Sequence, residues 1–100
     1  MENVEIFKAL ANDYRLQILF WLKNPEKHFV HEKNVDMREV GVCVGEIQKQ
    51  LGLTQSTTSH YLSMLQKANL LIATRIGKWT YYRRNEVTLK HLRDFIDKEL

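Results

Sequence analysis

The sequence has few of the residues that build disulfide-rich, low-complexity or membrane-spanning proteins. It contains one cysteine, one proline and four glycines in 100 residues. A single cysteine excludes an internal disulfide framework and is typical of a reducing compartment. The longest uninterrupted apolar run, residues 18–22, is far shorter than the ~20 residues that span a bilayer, and acidic residues stand where a signal peptide is positively charged. These absences predict a cytoplasmic protein without a membrane segment.

Excess charge of one sign is also small, but it is unevenly distributed. The formal net charge is +3, from 15 basic and 12 acidic residues. Residues 1–53 carry a net charge of −1, whereas residues 54–93 hold seven basic side chains and one acidic, a net charge of +6. A positive field on one segment is what a polyanion-binding surface requires, although a solvated basic face would look the same.

Residues 44–68 are predicted to form two helices joined by a tight turn. Gly52 ends the first helix, because glycine adopts the left-handed backbone of a C-cap without steric cost. Thr54 is the N-cap of the second helix, in which Thr58 faces inward and should bond its hydroxyl to a carbonyl of the preceding turn. This pattern is a helix-turn-helix, whose second helix offers its first turns to the major groove of DNA.

The outward face of that second helix is small and polar. Glutamine can hydrogen-bond adenine through two atoms, and serine or threonine can bond either kind of base-edge partner. Because these residues weaken a helix, their use indicates a purpose other than stability, with simple capping as the alternative. The candidate base contacts are Gln55, Ser56, Thr57, Ser59 and His60.

Residues 71–84 are predicted to form a β-hairpin. Strand-forming residues flank Gly77 and Lys78, a two-residue turn with glycine first that suits type II′. Arg75 and Lys78 lie near the tip. A hairpin with a basic tip directly after a helix-turn-helix is a wing, which lies along the phosphate backbone or the minor groove. A purely structural hairpin is the alternative.

Apolar stripes on the first and last helices predict a dimer. Residues 3–12 and 88–99 form these dimerisation helices, with Thr88 as the N-cap of the last one. The stripes could pack on each other or on a second copy, and paired DNA half-sites favour two-fold-related readers and therefore a homodimer. Residues 14–23 predict a central, nearly surrounded helix. Residues 24–42 predict a long surface loop, with a short strand or turn within it as the alternative.

Together these elements predict one domain over residues 1–100, of the α+β class and mainly α. It is a dimeric winged helix-turn-helix with about five helices and a two-stranded β-hairpin wing. Length alone supports one domain rather than two.

The residues themselves resemble the ArsR/SmtB family of winged helix-turn-helix repressors. The resemblance rests on residues 7–19 (FKALANDYRLQIL), 43–47 (CVGEI), 53–62 (LTQSTTSHYL) and 77–82 (GKWTYY). It implies a homodimer joined by its first and last helices, which binds double-stranded operator DNA and is released by a metal ion or another inducer. It also implies groove-facing roles for Gln55, Ser56, Ser59 and His60. On physical grounds alone, Arg15 and Lys49 are candidate phosphate contacts.

A divalent metal ion and a thiol oxidant are the candidate inducers. The family's thiolate site uses Cys-x-Cys, but this chain has Gly45 as the second member, and the thiolate of Cys43 alone cannot complete a sulfur site. Cys43 could instead sense oxidants if the helix that follows activates it, with a small buried residue as the alternative. The weak metal-ligand candidates are His28, His31 and Asp36 with Glu32 in the loop, and His91 and Asp94 in the last helix.

The function predicted is sequence-specific binding of double-stranded DNA by a transcriptional regulator, a repressor that acts as a homodimer. The alternative is a winged-helix module that binds protein and not DNA. An enzyme is not expected. Cys43 with His28 or His31 would need an orienting acid and a closed cleft, and no oxyanion site accompanies them.

Overall fold

The computed structural model describes residues 2–30 and 35–100. Within these residues the chain forms six helices and three strands. In chain order they are α1 (Glu2–Leu10), α2 (Asp13–Lys23), α3 (Pro25–His28), β1 (Val42–Cys43), α4 (Val44–Leu51), α5 (Gln55–Lys67), β2 (Leu71–Ile76), β3 (Trp79–Arg84) and α6 (Glu86–Glu99). The predicted class, mainly helical with a small antiparallel sheet, is confirmed.

Helix α2 begins where its cap predicts, but it is less enclosed than expected. Asn12 is the N-cap, and its Oδ1 accepts a 3.0 Å hydrogen bond from the backbone N–H of Arg15. One face is buried, yet Leu16 is 52% exposed and Phe20 is 64% exposed. The prediction of a nearly surrounded helix is therefore wrong, because α1, α3, α5 and β3 do not enclose α2 on every side.

Residues 24–42 hold more structure than the predicted surface loop. Pro25 is at the start of α3, where a missing backbone N–H costs no hydrogen bond, and Phe29 is buried in the core. Arg38 donates to Oε1 of Glu26 from Nε at 2.9 Å and from Nη2 at 2.6 Å, and these bonds hold the pKa of Glu26 below its ordinary value. The loop prediction is therefore wrong for the described part of this segment.

The predicted wing hairpin is confirmed. Strands β2 and β3 pair antiparallel from Leu71 opposite Arg84 to Ile76 opposite Trp79. Gly77 is the first residue of the two-residue turn. Its φ of +62° has the positive sign that a type II′ turn requires at this position.

A third strand, which begins at the end of the predicted loop, joins the hairpin. Strand β1 pairs with β3 through Val42 opposite Tyr82 and Cys43 opposite Tyr81, so the sheet order is β1-β3-β2. Gly41 precedes β1 with a φ of +124°, and a Cβ there would lie 2.5 Å from the carbonyl carbon and oxygen of Tyr82. Close approach of these two backbones thus requires glycine.

The helix-turn-helix is built from α4 and α5 over a shared core. Gly52 takes the left-handed conformation with a φ of 70°, and Thr54 Oγ1 accepts a 3.1 Å hydrogen bond from the N–H of Thr57. Thr58 is fully buried, and its hydroxyl donates to the Thr54 carbonyl at 2.8 Å, as predicted. The largest fully buried apolar side chains beneath these helices are Ile18, Ile47, Leu62, Leu65 and Leu70.

Helix α6 starts earlier than predicted and buries little in one chain. Its N-cap is Asn85, which accepts from the N–H of Thr88, so the predicted cap lies inside the first turn. Only Leu92 of this helix is buried, whereas Ile96 is 46% exposed and Leu100 is 81% exposed. An apolar stripe therefore remains uncovered at the end of the chain.

Candidate nucleic-acid interface

The first turns of α5 present the predicted base-contacting side chains to solvent. Gln55, Ser56, Ser59 and His60 are all exposed. Thr57 is exposed as well, but its hydroxyl accepts a 3.0 Å hydrogen bond from Thr54 Oγ1 at the cap. The exposed face of α5 thus offers side-chain hydrogen-bonding groups. The opposite face, which includes the buried Thr58, anchors the helix in the fold.

An aromatic contact behind this surface was not anticipated from the sequence. The rings of Tyr14 and Tyr61 stack with centroids 5.9 Å apart, and the His60 ring lies 6.3 Å from that of Tyr61. Helix α2 therefore contacts α5 at Tyr61, the residue next to the exposed His60. The two tyrosines are 47 residues apart in sequence, and their pairing carries no local signal.

Arg15 has a different role from the one predicted. Its side chain is buried, Nε donates to the Ala9 carbonyl at 2.7 Å, and Nη2 donates to the Lys8 carbonyl at 3.3 Å. Both carbonyls belong to the last turn of α1, where the Lys8 carbonyl also accepts a 3.2 Å hydrogen bond from the N–H of Ala11. The guanidinium also contacts α5. Its Nη1 lies 3.5 Å from Met64 Sδ, and its Cζ lies 5.6 Å from the centroid of the Tyr61 ring. These contacts engage donors of Arg15 inside the fold and argue against the predicted phosphate contact.

The cations of the wing divide between its tip and its base. Arg75 and Lys78 are exposed at the tip, where Arg75 Nε donates to the Gly77 carbonyl at 3.1 Å. At the base, Arg84 forms two 3.0 Å hydrogen bonds with the Glu86 carboxylate. The accessible positive charge of the hairpin is thus concentrated at the tip. Lys49 is exposed in the last turn of α4.

The predicted metal ligands in the described residues do not converge. His28 packs its ring 5.6 Å from that of Phe20, and Asp36 Oδ1 accepts from the N–H groups of Arg38 and Glu39 in a local turn. Among residues 2–30 and 35–100, no three His, Cys, Asp or Glu side chains lie close enough to hold a metal ion.

His31 and Glu32 lie outside the described residues. His91 is exposed on α6, while Asp94 accepts hydrogen bonds from Arg93 at 3.1 and 3.2 Å. His91 and Asp94 therefore lie on one helix, and the Asp94 carboxylate already accepts hydrogen bonds from Arg93.

Cys43 is placed directly before α4, as the redox hypothesis requires, but it is not accessible. It is the N-cap residue of α4, it pairs with Tyr81 in the sheet, and it is 3% exposed. An oxidant would reach the thiol only if β1 left the sheet. The structure therefore favours the alternative, a small buried residue at a helix start.

The chain is similar to known proteins in both sequence and structure. A family model described as bacterial regulatory protein, arsR family, matches residues 38–73, which include α4, α5 and the start of the wing. Along the described residues, we find no helix with the length and apolarity of a bilayer span.

Two relatives and one solved structure illustrate the similarity. The uncharacterized HTH-type transcriptional regulator YbzH of Bacillus subtilis is 51% identical over 100 residues, all of both chains. The putative arsenical resistance operon repressor ArsR2 of Halobacterium salinarum is 29% identical over 86 residues, 86% of this chain and 61% of that protein. The homodimeric winged helix-turn-helix DNA-binding domain of Mb0332 from Mycobacterium bovis has a TM-score of 0.66 and 27% identity, and the match covers 99% of this chain and 82% of that one.

Proposed function

The chain belongs to the arsR family of bacterial regulatory proteins, and on that premise we propose that it is a homodimeric repressor of an operator in the cytoplasm. It is a DNA-binding transcriptional regulator, and its family is not a class of enzymes. The finer proposal is that α5 reads bases in the major groove while the wing holds the flanking backbone.

One observation carries this proposal: α5 exposes a polar face without long charged side chains, and the tip of the wing exposes cations. Gln55, Ser56 and Ser59 are exposed in the first turns of α5, and Arg75 and Lys78 are exposed at the tip of the hairpin. Base edges require hydrogen-bonding groups that approach closely, and phosphates require cations. A helix with long charged side chains would hold the backbone away from the bases.

The homodimer is proposed from the outer helices. Helix α6 buries only Leu92 in one chain, and exposed apolar residues remain on it and on α1, including Ile96, Leu100 and Val4. The rings of Phe7 and Phe95 lie 6.4 Å apart, which joins the apolar surfaces of the two helices. Mb0332, a structural relative, is described as homodimeric, which supports this proposal.

A salt titration tests DNA binding. We expect affinity for operator DNA to fall roughly 10³-fold or more between 50 and 200 mM salt if six or more phosphates are contacted. Lys78→Gln should lower the slope of log affinity against log salt by about 1, because one phosphate contact is lost. Lys27→Gln is the control, because it removes an exposed cation from α3, which belongs to neither the helix-turn-helix nor the wing. This variant should leave the slope unchanged.

The salt titration also distinguishes DNA binding from the alternative function. A protein-binding winged-helix module predicts no salt-dependent affinity for duplex DNA, and that result would overturn the proposal. Release by an inducer is proposed from the family only. Dissociation from operator DNA, measured with Zn²⁺, other divalent ions and thiol oxidants, should identify the inducer. If Cys43→Ser dissociates in the same way as the unaltered chain, the thiol has no part in release.

A further inference from the structure

A cleft of about 440 Å³ lies at the base of the wing. Its walls come from the end of α2, the segment before β1, the end of β3 and the start of α6. The side chains that give the cleft its character are Leu22, Lys23, Met37, Arg38, Arg83 and Arg84. Because they come from distant parts of the chain, no local motif in the sequence marks this cleft.

Cations dominate the lining of the cleft. Among the described residues, four cations line it with one carboxylate, that of Glu86. The cations are Lys23, Arg38, Arg83 and Arg84. Like charges that share one small cleft repel each other, and an anion bound between them relieves that repulsion. The charge of the cleft therefore favours an anionic occupant.

Two of the guanidinium groups are held in place by carboxylates. Nε and Nη2 of Arg84 each donate a 3.0 Å hydrogen bond to Glu86, and the Arg84 side chain is only 15% exposed. Nε and Nη2 of Arg38 donate to Glu26 Oε1 at 2.9 and 2.6 Å. Both contacts use one side of the guanidinium, so Nη1 lies outside each pair. An arginine that is already ordered loses less side-chain entropy when it binds a further oxyanion.

Lys23 and Arg83 add charge that no carboxylate offsets. Lys23 is exposed in the last turn of α2, and Arg83 Nη1 donates to Thr74 Oγ1 at 3.3 Å. Within residues 2–30 and 35–100, neither side chain forms an ion pair. These two cations therefore keep their full charge for a ligand.

Apolar side chains share the lining with the cations. Leu22 and Pro25 are buried, and Met37 is half-buried. Methionine adapts its shape to what it contacts, and an organic ligand would remove this apolar surface from water. The volume is also within the range of roughly 300–1,000 Å³ typical of small-molecule sites. An inorganic ion would use the charge of the cleft but not its apolar surface.

The position of the cleft argues against operator DNA as its occupant. Arg84 is opposite Leu71 at the base of the hairpin, whereas Trp79 is beside the turn at the tip. At about 3.3 Å per residue, Arg84 lies roughly 17 Å from Trp79 along β3. Helix α5, which carries the proposed base contacts, contributes no residue to the described lining.

We propose that this cleft is a binding site for a small organic oxyanion, a phosphate or a carboxylate on an apolar body. Arginine and lysine bind both groups through charge-assisted hydrogen bonds, while Leu22 and Met37 cover the apolar body. The inference goes beyond the proposed function, because such a ligand would bind in the absence of DNA. An occupant would contact α2, the wing and the start of α6 together.

Isothermal titration calorimetry tests the site with two probes, naphthyl phosphate and naphthoate. We work at an ionic strength of about 0.15 M, where a single exposed cation holds an anion weakly. We expect saturable binding of one probe molecule per chain, and the tighter of the two probes identifies the preferred oxyanion. Naphthol lacks the anion and inorganic phosphate lacks the apolar body, so each should bind at least about tenfold more weakly.

Variants locate the bound probe. Arg83→Gln and Lys23→Gln alter different elements, and each should weaken binding about tenfold because a charged donor is lost. Lys78→Gln at the wing tip and Lys90→Gln on α6 remove exposed cations that do not line the cleft, and both should bind as the unaltered chain does. Two cleft variants keep the test valid if one of them weakens the fold.

Several outcomes would overturn the inference. The site is excluded if neither probe binds more tightly than naphthol, or if Arg83→Gln and Lys23→Gln both bind normally. An equal loss in Lys78→Gln would place the anion on the DNA-binding surface instead. If both cleft variants lower the salt slope of operator binding by about 1, the cleft belongs to the DNA interface. Absence of DNA binding contradicts the proposed function alone, since the calorimetry contains no DNA.

Discussion

The Nε of Arg15 donates a 2.7 Å hydrogen bond to the main-chain carbonyl of Ala9. This bond joins the start of α2 to the end of α1, and the same guanidinium reaches Met64 on α5. One buried cation therefore connects the proposed dimerisation helix with the proposed reading helix. Its charge is stabilised by carbonyl dipoles and by the Tyr61 ring.

We expect Arg15→Gln to lower the free energy of unfolding by about 2–3 kcal/mol, because the last carbonyls of α1 lose a charged donor in a buried site. Urea unfolding measures this loss. Arg93→Gln is the matched control, since Arg93 is exposed and bonds the neighbouring Asp94, so its effect should stay within about 0.5 kcal/mol. A stable Arg15→Gln protein with a salt slope lowered by about 1 would restore the phosphate contact that the structure argues against.

Base readout by α5 predicts a loss of specificity rather than of stability. Gln55→Ala should cost about 1–3 kcal/mol of the difference between operator and random DNA, because a two-atom contact to a base is lost. Anisotropy with both DNAs measures it. Gln66→Ala, an exposed glutamine near the other end of the same helix, should leave the difference unchanged. Equal losses on operator and random DNA would exclude direct readout by Gln55.

Local rules predicted the parts of this fold that depend on neighbouring residues. The cap at Thr54 and the inward hydroxyl of Thr58 follow from side chains that bond within one turn, and the left-handed Gly52 follows from the absence of a Cβ. The wing follows in the same way from a glycine-first turn between strand formers. These features were enough to predict the helix-turn-helix and to identify which face of α5 is polar and exposed.

Contacts between distant residues were not predictable from the sequence. Strand β1 has two residues, and its register with Tyr81 and Tyr82 is set by the glycine at position 41 rather than by any periodic pattern. The burial of Arg15 was missed because a charged side chain near a basic surface resembles a phosphate contact. Its true partners are main-chain carbonyls, which have no signature in the sequence.

The close approach at Gly41 gives a stability prediction with opposite signs at two glycines. Gly41→Ala should destabilise the protein by at least about 3 kcal/mol, because the new Cβ meets the Tyr82 backbone and the φ is positive. Gly45→Ala should stabilise it by about 0.5 kcal/mol, since the residue lies in α4 with open space around it. Urea unfolding compares them. A mild effect at Gly41 would contradict the pairing of β1 with β3.

The uncovered stripe of α6 predicts how the dimer can be broken. Ile96→Glu should shift the protein toward monomer in sedimentation, because a carboxylate would be buried without a partner between two copies. Val87→Glu is the matched control. Val87 is 65% exposed on the same helix, and nine residues of separation place it on the opposite side from Ile96. Loss of the dimer in Ile96→Glu should also weaken operator binding, since the two half-sites would then be bound independently. If both variants sediment like the unaltered chain, α6 does not form the dimer contact.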